Sequence, residues 1–162
     1  MDDHRADTDN TELSLLAETV RAISEGVTDE VADLANFSAV IFGALDRVNW
    51  AGFYRLLPDG ALLLGPFQGR PACIRLDAGK GVCGAAVVRG ETVVVDDVHA
   101  FPGHIACDSA SRSEIVIPLS RKGVLWGVLD IDSPVEARFG DAERIALEAA
   151  AREIEAALER CE

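Results

Sequence analysis

A chain of 162 residues, 49% of them hydrophobic and with no long low-complexity tract, is sized for one domain with its own core, which excludes global disorder. Its 28 acidic residues against 15 basic ones leave a net charge of −13, which repels a phosphate backbone and argues against nucleic acid as a partner. No apolar run approaches the ~20 residues of a bilayer span and the polar start MDDHRADTDN shows no signal peptide, so a cytoplasmic protein without a membrane partner is expected.

In chain order, residues 1–12 are polar and are expected to be flexible, with a single domain over 13–160. The stretch from Thr11 to Gly26 places Leu13, Leu16, Val20 and Ile23 at helical spacing and closes on a glycine. A second helix follows in TDEVADLANFSAVIFGAL. Thr28 is its expected N-cap, and Asp29 and Glu30 suit the first turn. The period then changes. NWAGFYRLL (Asn49 to Leu57) and ALLLGPF (Ala61 to Phe67) flank PDG, a hairpin signal. GKGVCGAAVVRG reads as a short helix between glycines. ETVVVDDV, EIVIPLS and VLWGVLDIDS read as three more strands, the last two joined by RKG. A long amphipathic helix, capped near Asp141, closes the chain. The pattern is α+β: an antiparallel sheet with the N- and C-terminal helices packed on one face.

The composition carries two further signals. Lysine occurs only at Lys80 and Lys122; a high-salt habitat and a GC-rich genome account for this equally well. In a reducing compartment the four cysteines point to metal binding, redox chemistry or packing rather than structural disulfides. Cys73, Cys83 and Cys107 all fall in the long connection between Gly69 and Ser113, each beside turn residues in GRPACI, GKGVCG and GHIACDS. Thiols on such a segment can move and meet, as disulfide exchange requires. His99 and His104 near Cys107 raise the zinc alternative, yet there is no C-x-x-C pair and the cysteine intervals match no common zinc pattern, so no metal is expected. Cys161 reads as a small buried hydrophobe, His104 as a loop residue.

The second constellation is acidic. Asp130 and Asp132, two apart in DIDS, share one face of a strand, and the RKG turn brings Glu114 alongside as an antiparallel neighbour. The surrounding strand is apolar, so a ligand-facing pair competes with a solvated one; its natural counterpart is an ammonium group. Trp50 and Tyr54 are expected as aromatic walls, Phe53 and Phe67 as core.

NWAGFY, LGPFQGRPACIRL, GKGVCGAA, DDVHAFPGHIACDSASRSEIVIPL and GVLDIDSP together resemble the free methionine-(R)-sulfoxide reductase family, a catalytic branch of the GAF domains, over about residues 13–158 and with no departure at its key positions. The resemblance implies a cofactor-free oxidoreductase that repairs oxidised free methionine. Cys107 would attack the sulfoxide sulfur and become a sulfenic acid. Cys73 would condense with it to a disulfide, with Cys83 as the alternative or second resolving thiol. A thioredoxin-type dithiol would restore the enzyme. Glu114 would help protonate the sulfoxide oxygen, Asp130 and Asp132 would hold the amino group, and Trp50 and Tyr54 would line the pocket. A homodimer is compatible with such domains. One strain remains: Asp108, beside Cys107, should disfavour its thiolate. The competing classes are a non-catalytic GAF-type sensor of a small molecule or redox state, against which stands the absence of an output module, and a structural zinc protein.

Overall fold

The computed structural model describes residues 3–105 and 107–161. Four helices and six strands follow in the order α1 (Asp3–Ile23), α2 (Glu30–Ala44), β1 (Trp50–Leu56), β2 (Leu62–Gly69), β3 (Arg75–Leu76), α3 (Gly81–Arg89), β4 (Val93–Val95), β5 (Ser113–Arg121), β6 (Val124–Ser133) and α4 (Asp141–Arg160). The strands form one antiparallel sheet in the order β3-β2-β1-β6-β5-β4. The α+β reading is therefore correct, and β3 is the strand it missed, two residues being too few to carry an alternation.

Local chemistry explains the element ends. The N-cap of α2 is Asp29 and not Thr28: the Ala32 N–H donates to Asp29 Oδ1 at 2.8 Å, a bond the carboxylate of the second capping residue reaches from the correct register. At α4 the cap falls on Gly140, whose N–H donates to Glu143 Oε2 at 3.0 Å. Helix α1 opens at Asp3, inside the segment read as flexible; Asp3–Asn10 contains no proline or glycine to stop it, and residues 1 and 2 lie outside those described.

Both faces of the sheet are covered, and their alternation divides structure from chemistry. Ala51 and Phe53 of β1, Ile115, Ile117 and Leu119 of β5, and Leu129 and Ile131 of β6 point to one side. They pack on Leu16 and Val20 of α1, Leu34, Phe37 and Ile41 of α2, and Leu147, Ile154 and Leu158 of α4. This is the main core, and the terminal helices share its face as the sequence pattern implied. The intervening residues, Trp50, Tyr54, Val116 and Val128, point to the other side and meet Val82, Cys83 and Ala86 of α3 together with Val98 from the connection. Among the described residues, no helix is long and apolar enough to cross a membrane.

Phe37 is fully buried at the centre of the first core. Phe37→Ala is expected to cost about 3–5 kcal/mol, because the cavity it leaves cannot close between a helix and a sheet; urea unfolding with an unchanged m-value measures this.

The β5–β6 hairpin turns through Lys122 and Gly123, at φ 52° and 75°, with Arg121 opposite Val124. Two positive φ angles in a two-residue loop match the twist of the strands they join. Among the cleft-side residues, Gly52 of β1 lies under Trp50 and Phe67: a Cβ there would sit 2.7 Å from the indole ring and closer still to the Phe67 Cβ. Glycine is therefore what allows the indole to lie flat over the strand.

Candidate functional site

Sheet register assembles the acidic group. Glu114 pairs with Asp132, Asp132 with Trp50, and Asp130 with Gly52, so the three carboxyls and the indole share the α3 side of three adjacent strands. Above them lies a cleft of about 550 Å³ of empty space, walled by Trp50, Tyr54, Cys83, Cys107, Glu114, Asp130 and Asp132. Every residue that the resemblance assigns to catalysis or substrate binding lines this cleft except Cys73, which is joined to the lining Cys107.

The aromatic walls also fasten the connection. Trp50 Nε1 donates to the Arg70 carbonyl at 3.2 Å, and the Tyr54 hydroxyl donates to the Cys73 carbonyl at 2.9 Å. Trp50 stacks between Tyr54 and Phe67, with centroids at 5.8 and 5.3 Å. Phe53 is core, as expected; Phe67 is only half-buried and belongs to the aromatic stack of the cleft side.

Cys73 and Cys107 are joined as a disulfide, with Cα atoms 5.6 Å apart and the two cysteines 34 positions apart in sequence. Cys83 stays out of the pair. It is buried in the first turn of α3, where its Sγ approaches Glu114 Oε1 at 3.9 Å. Cys161 is buried against the Ala157 carbonyl at the end of α4, a packing position. His104 lines the cleft; burial, and then the neighbouring His99, hold its pKa below the usual value.

Asp108, feared as a repulsive neighbour of Cys107, has its carboxylate occupied. Oδ1 accepts from the Ala110 N–H at 2.9 Å and Oδ2 from Asn49 Nδ2 at 3.1 Å, while the same Nδ2 also reaches Ser111 Oγ at 3.1 Å. Asp108 thus anchors the Cys107 loop to the start of β1. Asn49 is the positioning residue the sequence reading passed over, although it heads NWAGFY; nothing local marks a partner 59 positions away.

Burial dominates the acidic group. It raises Glu114 and Asp132 well above the ordinary carboxylate range, and mutual repulsion adds to this. Asp130 is pushed up to about 6 by burial, against hydrogen bonding from Glu114 and Cys83. Its Oδ1 is buried with no hydrogen-bond partner. A buried acceptor without a partner is costly, and a cationic donor in the cleft would satisfy it. Chemically, the cleft offers a redox pair of sulfurs, a buried carboxyl able to carry a proton, and an acceptor set for a cation.

The comparisons with known proteins agree on the kind of chain this is. The GAF domain family profile matches residues 19–158. The free methionine-R-sulfoxide reductase of Escherichia coli (strain K12) is 52% identical over 139 residues, 86% of this chain and 81% of that protein. The X-ray structure of free methionine-R-sulfoxide reductase from Neisseria meningitidis in complex with its substrate superposes with a TM-score of 0.86 at 44% identity, over 90% of this chain and 87% of that one. The fRMsr of Staphylococcus aureus in its reduced form gives 0.86 at 47%, over 90% and 94%.

Proposed function

We propose, from the premise that this chain belongs to the GAF domain family and within it to the free methionine-R-sulfoxide reductases, that its cleft reduces free L-methionine (R)-S-oxide by thiol chemistry. The chain is an oxidoreductase of that family; the residue roles are the proposal. The observation that carries them is the Cys73–Cys107 pair closing beside a cleft lined by the buried carboxyls of Glu114 and Asp130 and the half-buried one of Asp132.

The substrate's ammonium group binds Asp130 and Asp132, and supplies the donor that Asp130 Oδ1 lacks. Its methyl and methylene groups lie against Trp50 and Tyr54. Cys107 Sγ attacks the sulfoxide sulfur. Glu114, kept protonated near neutral pH by its burial, gives its proton to the departing oxygen. Methionine leaves, and the oxygen remains on Cys107 as a sulfenic acid. The Cys73 thiol displaces that oxygen as water, forming the disulfide. A thioredoxin-type dithiol then reduces it, so that one sulfoxide and two thiols become one thioether, one disulfide and one water. Cys83 needs no part in this cycle, since Cys73 is already within bonding reach of Cys107.

A substrate held by its ammonium group must be a free amino acid, because the nitrogen of a peptide-bonded or acetylated residue is neutral. Dithiothreitol-driven methionine release, measured with free and N-acetylated sulfoxide of each configuration, tests this directly. Turnover is expected with the free (R) form; equal rates on the N-acetylated compound would remove the ammonium argument.

A further inference from the structure

Cys83 is a buried thiol at the cleft that the cycle above leaves idle. Its Sγ, a carboxylate oxygen of Glu114 and one of Asp130 all lie within 4.8 Å of one another, and all three residues are buried. They come from α3, β5 and β6, so no spacing in the sequence reveals the group. His99 and His104, the histidines near Cys107, are not in it.

Two independent features point to a cation here. The charged groups that act on Glu114 are the acidic Asp130 and Asp132; among the described residues no arginine or lysine pairs with Glu114 or Asp130, although Arg70 and Lys80 line the same cleft. Asp130, 6% exposed, lines the cleft, has a carboxylate oxygen in this cluster, and carries a buried Oδ1 with no hydrogen-bond partner. The donor set decides which cation. Magnesium and calcium require shells built from oxygen, whereas a thiolate with two carboxylates suits a borderline-soft ion. In a tetrahedral zinc site, bonds of ~2.3 Å to sulfur and ~2.1 Å to oxygen place the two ligands about 3.6 Å apart. Cys83 Sγ and Glu114 Oε1 already stand at 3.9 Å and the Asp130 oxygen lies within 4.8 Å of both, so the shell closes when the three side chains draw in around the ion.

We propose that Cys83, Glu114 and Asp130 form a binding site for a zinc-type divalent cation, which takes the place of the substrate's ammonium group and shuts the cleft to the amino acid. No electron moves. Cys83 and Glu114 release protons to solvent as the metal binds, and the fourth position faces the cleft and takes water. The metal geometry stands on these side chains alone; only the exclusion of substrate rests on the ammonium reading.

The disulfide-closed protein is the right material, because among the described residues it leaves only Cys83 and Cys161 as free thiols. Cys161→Ser removes the second, which is remote from the cleft at the end of α4. Cobalt(II) titrated into this background is expected to bind one per chain with a near-ultraviolet thiolate band, and zinc to displace it. Adding Cys83→Ser should abolish the band. Asp130→Asn, which keeps every thiol, should weaken cobalt at least about tenfold and so reads the site even if the serine variant folds poorly. Absence of binding, a band that survives without Cys83, or undiminished affinity in Asp130→Asn overturns the site. Saturating free methionine (R)-sulfoxide should expel the cobalt. A band unmoved by sulfoxide, in protein whose reduced form still turns it over, overturns the shared position without touching the reductase reading.

Discussion

Cys107→Ser is expected to eliminate methionine formation even in a single turnover, a loss of at least about a thousandfold, because a serine hydroxyl in an acidic cleft neither attacks sulfur nor retains its oxygen. Cys73→Ser separates the two halves of the cycle. With no thiol to resolve the sulfenic acid, it should release about one methionine per chain in a rapid burst and then stop. Quench-flow with chromatographic detection of methionine distinguishes the outcomes. A serine variant at 107 that retains the burst removes the nucleophile assignment, and full cycling by Cys73→Ser moves the resolving role to Cys83.

Asp130→Asn is expected to raise KM about a hundredfold, or ~3 kcal/mol, since an amide leaves the ammonium group half-paired in a buried place. The same substitution should stabilise the empty protein, and the sign follows from burial. With a folded pKa of about 6 against the ordinary aspartate value of 3.8, the Asp130 carboxyl favours folding most while protonated. Its contribution is whole below the lower value and is lost as pH rises through the upper one. The melting temperature of the asparagine variant should therefore gain on the parent between about pH 4 and 7. For the unmodified enzyme, kcat/KM should climb with pH through about 6, as the acceptor for the ammonium group ionises. A variant with unchanged KM ends the recognition argument, whatever its stability.

Much of this was readable before any coordinates. Asp130 and Asp132 had to share a face because strands alternate, and RKG had to bring Glu114 beside them. The helices followed from periodicity, and only local choices went astray, such as Asp29 taking the cap from its neighbour Thr28. What the sequence withheld was long-range. Cys73 and Cys83 sit in equally turn-rich surroundings, ten positions apart, and nothing local says which meets Cys107. That depends on Tyr54 and Trp50 fixing the segment 70–73 by its carbonyls, and on Asn49 tying down Asp108. Bonds between residues distant in sequence leave no periodic trace, and here they determine which thiol is the partner.

The two positive φ angles at Lys122 and Gly123 have a consequence for how this protein can vary. They set Arg121 opposite Val124, and the irregularity between Leu119 and Ser120 shifts that register by one before Glu114 meets Asp132; with side chains alternating, a further slip of one there would thrust Asp130 and Asp132 among Phe37 and Ile154 while Ile131 entered the cleft. A residue added in that turn is tolerated only where the loop or the bulge absorbs it, so the pairing of Glu114 with Asp132, rather than the hairpin's length, is a heritable constraint as strict as the identity of any cysteine.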